Sequence, residues 1–159
     1  SSAASDVYKR QMKLLPNEAF TRDARIVFLD DSIVRGTQLK DNVVKLRECG
    51  VKEVHIRIAC PPLIYPCCFL NFSTSRSTFD LFARRVIRDL EGTSELTDEI
   101  LKPYSDPDSE KYKEMVRVMC QHLQLDSLQF QRLDDLVKAI GLPKEQLCTH
   151  CWDNSSYME

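Results

Sequence analysis

Ile26-Val27-Phe28-Leu29-Asp30-Asp31-Ser32-Ile33-Val34-Arg35-Gly36-Thr37-Gln38 is the stretch from which the rest of the chain can be read. Its first four residues are apolar without a break. That predicts a strand buried on both faces, as inside a parallel sheet. Asp30 and Asp31 follow at once. A short loop, Ser32 to Gly36, then leads to Thr37, where an amphipathic helix is expected to start. In an open α/β sheet this order puts the loop at the carboxyl edge of the strands, where ligands bind. Hydroxyls, backbone N–H groups and a helix N-terminus suit a phosphate. Two carboxylates suit sugar hydroxyls or Mg2+. Both chemistries within a few residues point to a phosphorylated sugar with vicinal hydroxyls. A plain strand end and helix cap would explain the acidic pair, but not the loop and helix that accompany it.

The surrounding sequence extends this into a βαβ unit. Residues 12–24, with Pro16 and Asn17, read as an approach loop. Leu39, Val43 and Leu46 are spaced by four and three, so a helix is predicted over 37–48, with Gly50 just past its end. Val54, Ile56 and Ile58 alternate with His55 and Arg57, which predicts a second strand with one polar face, nearer the sheet edge. The two strands should be parallel, with a right-handed crossover. Pro61 and Pro62 stop the second strand. After Tyr65-Pro66-Cys67-Cys68-Phe69 comes a Ser/Thr-rich turn over 73–77. A helix is predicted over 77–90, with Phe79, Phe82, Val86 and Leu90 as its apolar stripe and Arg84, Arg85 and Arg88 facing elsewhere. Residues 93–109 are polar, contain Pro103 and Pro107, and form the best internal boundary. Further on, a helix is predicted over 109–123 (Tyr112, Met115, Met119, Leu123), a short strand at Leu128 and Phe130, and a last helix over 133–140. Asp134-Asp135 repeats the acidic dipeptide, but in the first turn of that helix, where it suits the macrodipole.

The bulk numbers set the class. At 159 residues there is room for one domain or one domain with a small extension. With 43% hydrophobic and 29% charged residues the composition is that of an ordinary globular protein. A net charge of −2 argues against nucleic acid as a partner. No apolar run approaches the ~18 residues of a membrane helix, and no signal peptide is visible. Ser1 to Gln11 is small, polar and aperiodic, and reads as a non-native leader. Seven cysteines without a secretory signal favour metal, cluster or buried thiols over disulfides. Cys148-x-x-Cys151 has half-site spacing. Cys49, Cys60 and Cys120 sit in or beside regular elements and read as small buried hydrophobes. No Ser/His/Asp or Cys/His set stands out, and His55, His122 and His150 read as structural or exposed.

Val27 to Thr37 resembles the phosphoribosyl-pyrophosphate (PRPP) fingerprint of type I phosphoribosyltransferases, and its wording is closest to the amidophosphoribosyltransferase family. The resemblance runs from about Met12 to the C-terminus and is strongest from Val27 to Pro62. It implies a partial type I phosphoribosyltransferase fold over 12–92, with a mainly helical C-terminal extension over 93–159. It implies that the PRPP ribose and 5′-phosphate meet Asp30, Asp31, Ser32, Val34, Arg35, Gly36 and Thr37, with Mg2+ at Asp30 and Asp31. The implied reaction is displacement at ribose C1: ammonia derived from glutamine attacks and pyrophosphate leaves, in the first committed step of purine synthesis. Such an enzyme mostly positions groups and stabilises charge. Gln38 departs from the family pattern, which has a small hydroxyl residue there.

Part of the family carries a [4Fe–4S] cluster. The resemblance implies three of its ligands at Cys67, Cys148 and Cys151, with Cys67 preferred to Cys68 because it directly follows the proline. Zn2+ bound through His150 or Cys68, or plain thiols, are the alternatives. The family also implies a cytoplasmic homo-oligomer inhibited by purine nucleotides. Its glutaminase half, pyrophosphate loop and flexible lid have no counterpart in this sequence. The chain is therefore expected to be a C-terminal fragment of such an enzyme and to be inactive alone. A regulatory PRPP- or nucleotide-binding module without chemistry is the alternative, but it would more naturally bring a DNA-binding domain and a basic face. A receiver-like domain would need a third Asp after another apolar strand, and none is present.

Overall fold

The computed structural model describes residues 18–67, 69 and 77–156. The expected leader, the start of the approach loop, Cys68 and the Ser/Thr-rich turn up to Arg76 lie outside the described residues. Three strands, β1 (Arg25–Asp30), β2 (Glu53–Ile58) and β3 (Ser127–Phe130), form one parallel sheet in the order β1-β2-β3. The helices in chain order are α1 (Glu18–Thr21), α2 (Thr37–Glu48), α3 (Phe82–Glu91), α4 (Asp98–Ser105), α5 (Glu110–His122), α6 (Leu133–Ile140) and α7 (His150–Asp153).

The inward face of β2 explains why the sheet forms. Val54, Ile56 and Ile58 are all but fully buried. They stand beside Ile26, Phe28 and Asp30 of β1, and Ile56 and Ile58 beside Leu128 and Phe130 of β3. Burying each such aliphatic side chain stabilises the fold by roughly 1.5–3 kcal/mol. Leu39, Val43 and Leu46 of α2 join the same core, as do Val86 and Ile87 of α3 and Met115 and Met119 of α5. Helix α5 begins where Ser109 can cap it: its Oγ accepts from Tyr112 N–H at 3.1 Å.

Several expectations are corrected. Strand β1 is an edge strand of the described sheet and β2 its centre, the reverse of the sequence reading. Val27 and Leu29 are 61% and 77% exposed, so β1 is not buried on both faces here. Hydrophobic alternation reports which face is covered, not which strand is central. The polar face of β2 lies open, where His55 meets Ser127 Oγ at 2.8 Å and Glu53 at 3.2 Å. The helix expected from 77 begins later: Thr78–Asp80 is a 3-10 turn, Leu81 is extended, and α3 starts at Phe82. Arg84, expected to face away, is buried, because its Nε donates to the Ile64 carbonyl at 2.7 Å and its guanidinium lies 5.5 Å from the Tyr65 ring centre. Leu90, by contrast, is exposed. Finally, the polar stretch 93–109 contains a helix that the sequence reading did not expect, α4, whose Leu101 and Tyr104 are buried in the core. Pro103 sits late in α4, where the charged, Pro-rich composition hid the helix.

Asp126 fastens the entry to β3. Its Oδ2 accepts from Val54 N–H at 2.6 Å and from Arg47 at 2.6 Å, while Arg47 also donates to the Lys52 carbonyl at 2.7 Å. The hydrogen bond from Val54, and then Arg47, hold the Asp126 carboxyl below its ordinary value of 3.8 against some opposing burial. A lowered folded value stabilises the fold above the ordinary value, and that contribution fades as the pH falls from there through the folded value. Asp126→Ala should cost about 1–3 kcal/mol at neutral pH, because Val54 N–H loses its partner. Urea denaturation checks this, and the gap between variant and parent should narrow below pH 3.8.

Candidate functional site

Strand β1 ends at the carboxyl edge of the sheet, and the chain then turns into α2 through residues 31–36. The Asp30 carbonyl accepts from Ala59 N–H at 2.9 Å, which ties the end of β1 to the end of β2. Ile33 is buried and anchors the loop in the core. Gly36 adopts φ +74, the left-handed region, and caps α2 with no side-chain hydrogen bond. The first N–H groups of α2 thus lack a side-chain cap, and helix N-termini of this kind attract anions. The loop and the start of α2 line an open cleft of about 830 Å3, together with Asp41, Asn42 and Lys45 on the next turns.

The acidic pair lines this cleft. Asp31 N–H donates to Asp30 Oδ1 at 3.0 Å. Asp30 as a residue is exposed, yet its carboxyl is raised above the ordinary range. Partial withdrawal from solvent comes first, then the hydrogen bond it shares with the Asp31 side chain, with like-charge repulsion adding to both. Two crowded carboxylates of this kind suit a divalent cation, which needs only one or two protein carboxylates when substrate oxygens and water complete its shell. Thr37 is exposed on the first turn of α2 and Ser32 is half-buried, and both line the cleft. Gln38, exposed beside Thr37, also lines the cleft.

The back of the loop was not foreseen from the sequence. Phe82 N–H donates to the Val34 carbonyl at 2.7 Å, and Arg85 donates to the Arg35 carbonyl at 2.6 Å. Arg35 reaches Asp80 at 3.7 Å, so its charge is directed along the rim. The Phe82 ring lies only 3.1 Å from where a Cβ on Gly36 would be. Val34 therefore contributes to the site through its backbone. The three partners lie about fifty residues downstream, and the helical stripe that named Phe82 gave no sign that it faces the loop.

The cysteines gather at a second place. Cys67 is buried, and its Sγ accepts from Phe69 N–H at 3.4 Å. The Cys151 carbonyl accepts from Ile64 at 2.9 Å and Tyr65 at 3.0 Å, which docks the segment after β2 on α7. The Cys67 and Cys151 thiols share a hydrogen bond, and burial, then Cys67, push the Cys151 thiol up to about 12. Cys148 is exposed nearby. Thr149 between them is buried; its Oγ1 donates to Asp153 Oδ1 at 2.7 Å, and Asp153 also binds Lys144 at 2.6 Å. Among the described residues no three His, Cys, Asp or Glu side chains converge on a single metal ion. A four-iron cluster makes a different demand, a separate thiolate for each iron. Cys60 and Cys120 are half-buried, and Asp134 and Asp135 sit in the first turn of α6, as read from the sequence.

No family model matches the chain. Curated relatives do match. An amidophosphoribosyltransferase of Mycobacterium bovis is 31% identical over 150 residues, covering 94% of this chain and 24% of the relative. One from Pyrococcus horikoshii is 52% identical over 59 residues, 37% of this chain and 13% of the relative. The chain is homologous to a segment of the amidophosphoribosyltransferases. A solved glutamine PRPP amidotransferase from Bacillus subtilis, complexed with ADP and GMP, shares the fold with a TM-score of 0.61 and 24% identity over 94% of this chain. A second structure, of the allosteric regulatory enzyme of purine biosynthesis, matches at a TM-score of 0.61, with 25% identity over 92% of this chain and 27% of that one. The parallel sheet with its helices is thus the type I phosphoribosyltransferase arrangement that the resemblance implied. The chain spans about a quarter of the length of the M. bovis relative.

Gly36→Ala puts a side chain into left-handed backbone and against Phe82. It should cost about 1–2 kcal/mol from the backbone conformation alone, with more from the ring contact. Thermal unfolding measures the loss, and the amide resonances of residues 34–37 should shift while those of α5 stay in place.

Proposed function

We propose that this chain forms the ribose-5-phosphate and Mg2+ end of an amidophosphoribosyltransferase site. The complete reaction makes 5-phosphoribosylamine, glutamate and pyrophosphate from PRPP, glutamine and water. The observation that carries this reading is the juxtaposition, in one cleft, of an uncapped helix N-terminus preceded by left-handed Gly36 with the crowded pair Asp30 and Asp31. Backbone N–H groups around Gly36, with Thr37 and Ser32, receive the 5′-phosphate. Asp30 and Asp31 accept the ribose hydroxyls and share Mg2+ with the substrate. Bound there, Mg2+ supplies positive charge against the departing pyrophosphate. The residues of this chain hold the ribose in place, so that C1 is presented to ammonia with its leaving group aligned.

The raised Asp30 carboxyl supports the cation assignment: partial burial and the neighbouring Asp31 side chain disfavour its ionised form, and a cation at the pair would offset both. The proposed role is binding without turnover: the chain alone should take up PRPP and release neither glutamate nor pyrophosphate. Calorimetric titration of the 159-residue chain with PRPP and Mg2+ tests this. Asp30→Asn with Asp31→Asn should weaken Mg2+-dependent binding by at least ~10-fold, the order expected when charge-assisted contacts are lost. A parent chain with no affinity for PRPP would sink the reading.

The thiols support a second element of it. Cys67, Cys148 and Cys151 would hold three corners of a [4Fe–4S] cluster, which would fasten α7 to the segment after β2. The buried contact between Cys67 and Cys151, drawn together by the Ile64 and Tyr65 hydrogen bonds, favours it. Anaerobic iron and sulfide analysis should find about four of each per chain, and Cys67→Ser should remove both. Iron-free protein from such a preparation would count against the cluster.

A further inference from the structure

The loop between β1 and α2 is held from behind, and the hold determines where its donors point. Arg85 is the centre of it. Its Nη2 donates to the Arg35 carbonyl at 2.6 Å, and its Nη1 donates to the Phe79 and Asp80 carbonyls at 3.1 Å each. One guanidinium thus joins the loop to the 3-10 turn that precedes α3. Phe82 N–H takes the neighbouring Val34 carbonyl at 2.7 Å, and the Arg85 guanidinium lies 5.5 Å from the Phe82 ring centre. Two consecutive loop carbonyls, Val34 and Arg35, are therefore turned towards the α3 side.

A trans peptide is planar, and its C=O and N–H point in opposite directions. Turning the Val34 carbonyl back sends the Arg35 N–H forward. Turning the Arg35 carbonyl back does the same for the Gly36 N–H. Both donors are then directed away from α3, on the side where the loop borders the cleft. Gly36 alone among residue types accepts this arrangement without strain, given φ +74 and the Phe82 ring at its back.

We propose that Arg85 is a positioning residue, which sets the anion-binding geometry of the 32–37 loop without touching the ligand. This rests on the phosphate reading of the loop given above. Arg85 acts through orientation: it fixes the peptide planes before the ligand arrives, so less ordering is lost on binding. Lysine at the same place keeps the charge and can reach a carbonyl, but lacks the planar fork that spans three of them.

The test uses the full chain and ribose 5-phosphate with Mg2+. Arg85→Met should weaken binding about tenfold while leaving affinity for Mg2+ alone unchanged, as expected for loss of a preorganising contact. Arg85→Lys should recover part of that loss. Amide resonances of Arg35 and Gly36 should move in Arg85→Met without ligand, with those of α5 unmoved. Equal affinity and unmoved loop amides in Arg85→Met would overturn the proposal. If the parent chain binds no ribose 5-phosphate, the phosphate reading fails and the positioning role falls with it. Binding by the parent with no loss in Arg85→Met instead rejects the role of Arg85 alone. Should Arg85→Met fail to fold, Arg85→Lys decides: shifted Arg35 and Gly36 amides with weaker binding support the proposal, and parent-like behaviour overturns it.

Discussion

The contact between the loop after β1 and the start of α3 organises the carboxyl edge of this sheet. Phe82 supplies it twice, with its N–H to Val34 and its ring against Gly36. Two elements fifty residues apart are thereby fixed to one another. Arginines at consecutive positions of α3 extend the same device. Arg84 holds the Ile64 carbonyl after β2, and Arg85 holds the loop after β1. Successive residues on a helix point about 100° apart, so one turn can address two strand ends. The burial of Arg84 is partly compensated by the bond from its Nε to a carbonyl and by the Tyr65 ring beneath its guanidinium.

This edge shows which parts of the protein are legible in its sequence. Helix α2 was readable to the residue because Leu39, Val43 and Leu46 carry a local period and Gly50 ends it. Helices α5 and α6 were readable for the same reason. Asp30 to Thr37 were readable because strand, acidic pair, loop and helix are contiguous. Asp80, Phe82 and Arg85 were not, since their role depends on a tertiary approach that no local period encodes. Helix α4 was lost in a polar, proline-containing stretch, although Leu101 and Tyr104 are spaced by three and both face the core. Tyr104 reaches the core and still satisfies its hydroxyl, which donates to Glu91 at 2.6 Å.

Strand order illustrates a different limit. An unbroken apolar run such as Ile26 to Leu29 says that neither face would object to burial. An alternating run such as Val54 to Ile58 says that one face meets something polar. Neither statement locates a strand within a sheet. In the described chain the helices pack on the face that carries Ile26, Phe28, Val54 and Ile56, and the opposite face is left to Val27, Leu29, His55 and Arg57. The polar members of that face are satisfied by each other: Arg57 donates to Ser127 Oγ at 3.0 Å, and His55 is bracketed by Glu53 and Ser127.

The chain contains the same acidic dipeptide twice, and the two copies separate structure from chemistry. Asp134 and Asp135 lie in the first turn of α6, where exposed helix N–H groups favour negative charge. Asp30 is the last residue of β1 and Asp31 the first beyond it, before the cap of α2 and outside its first turn. Partial withdrawal from solvent, then the side chain of Asp31, raise the Asp30 carboxyl, and the Asp31 N–H offsets only part of this. A raised folded value means that the ionised form is disfavoured by the fold. Its cost is present at neutral pH and relieved as the pH falls through the folded value towards the ordinary one. The fold therefore gives up stability to hold an ionised Asp30 at the end of β1, beside Asp31. A cation or a hydroxyl-rich ligand that binds the ionised pair recovers that stability.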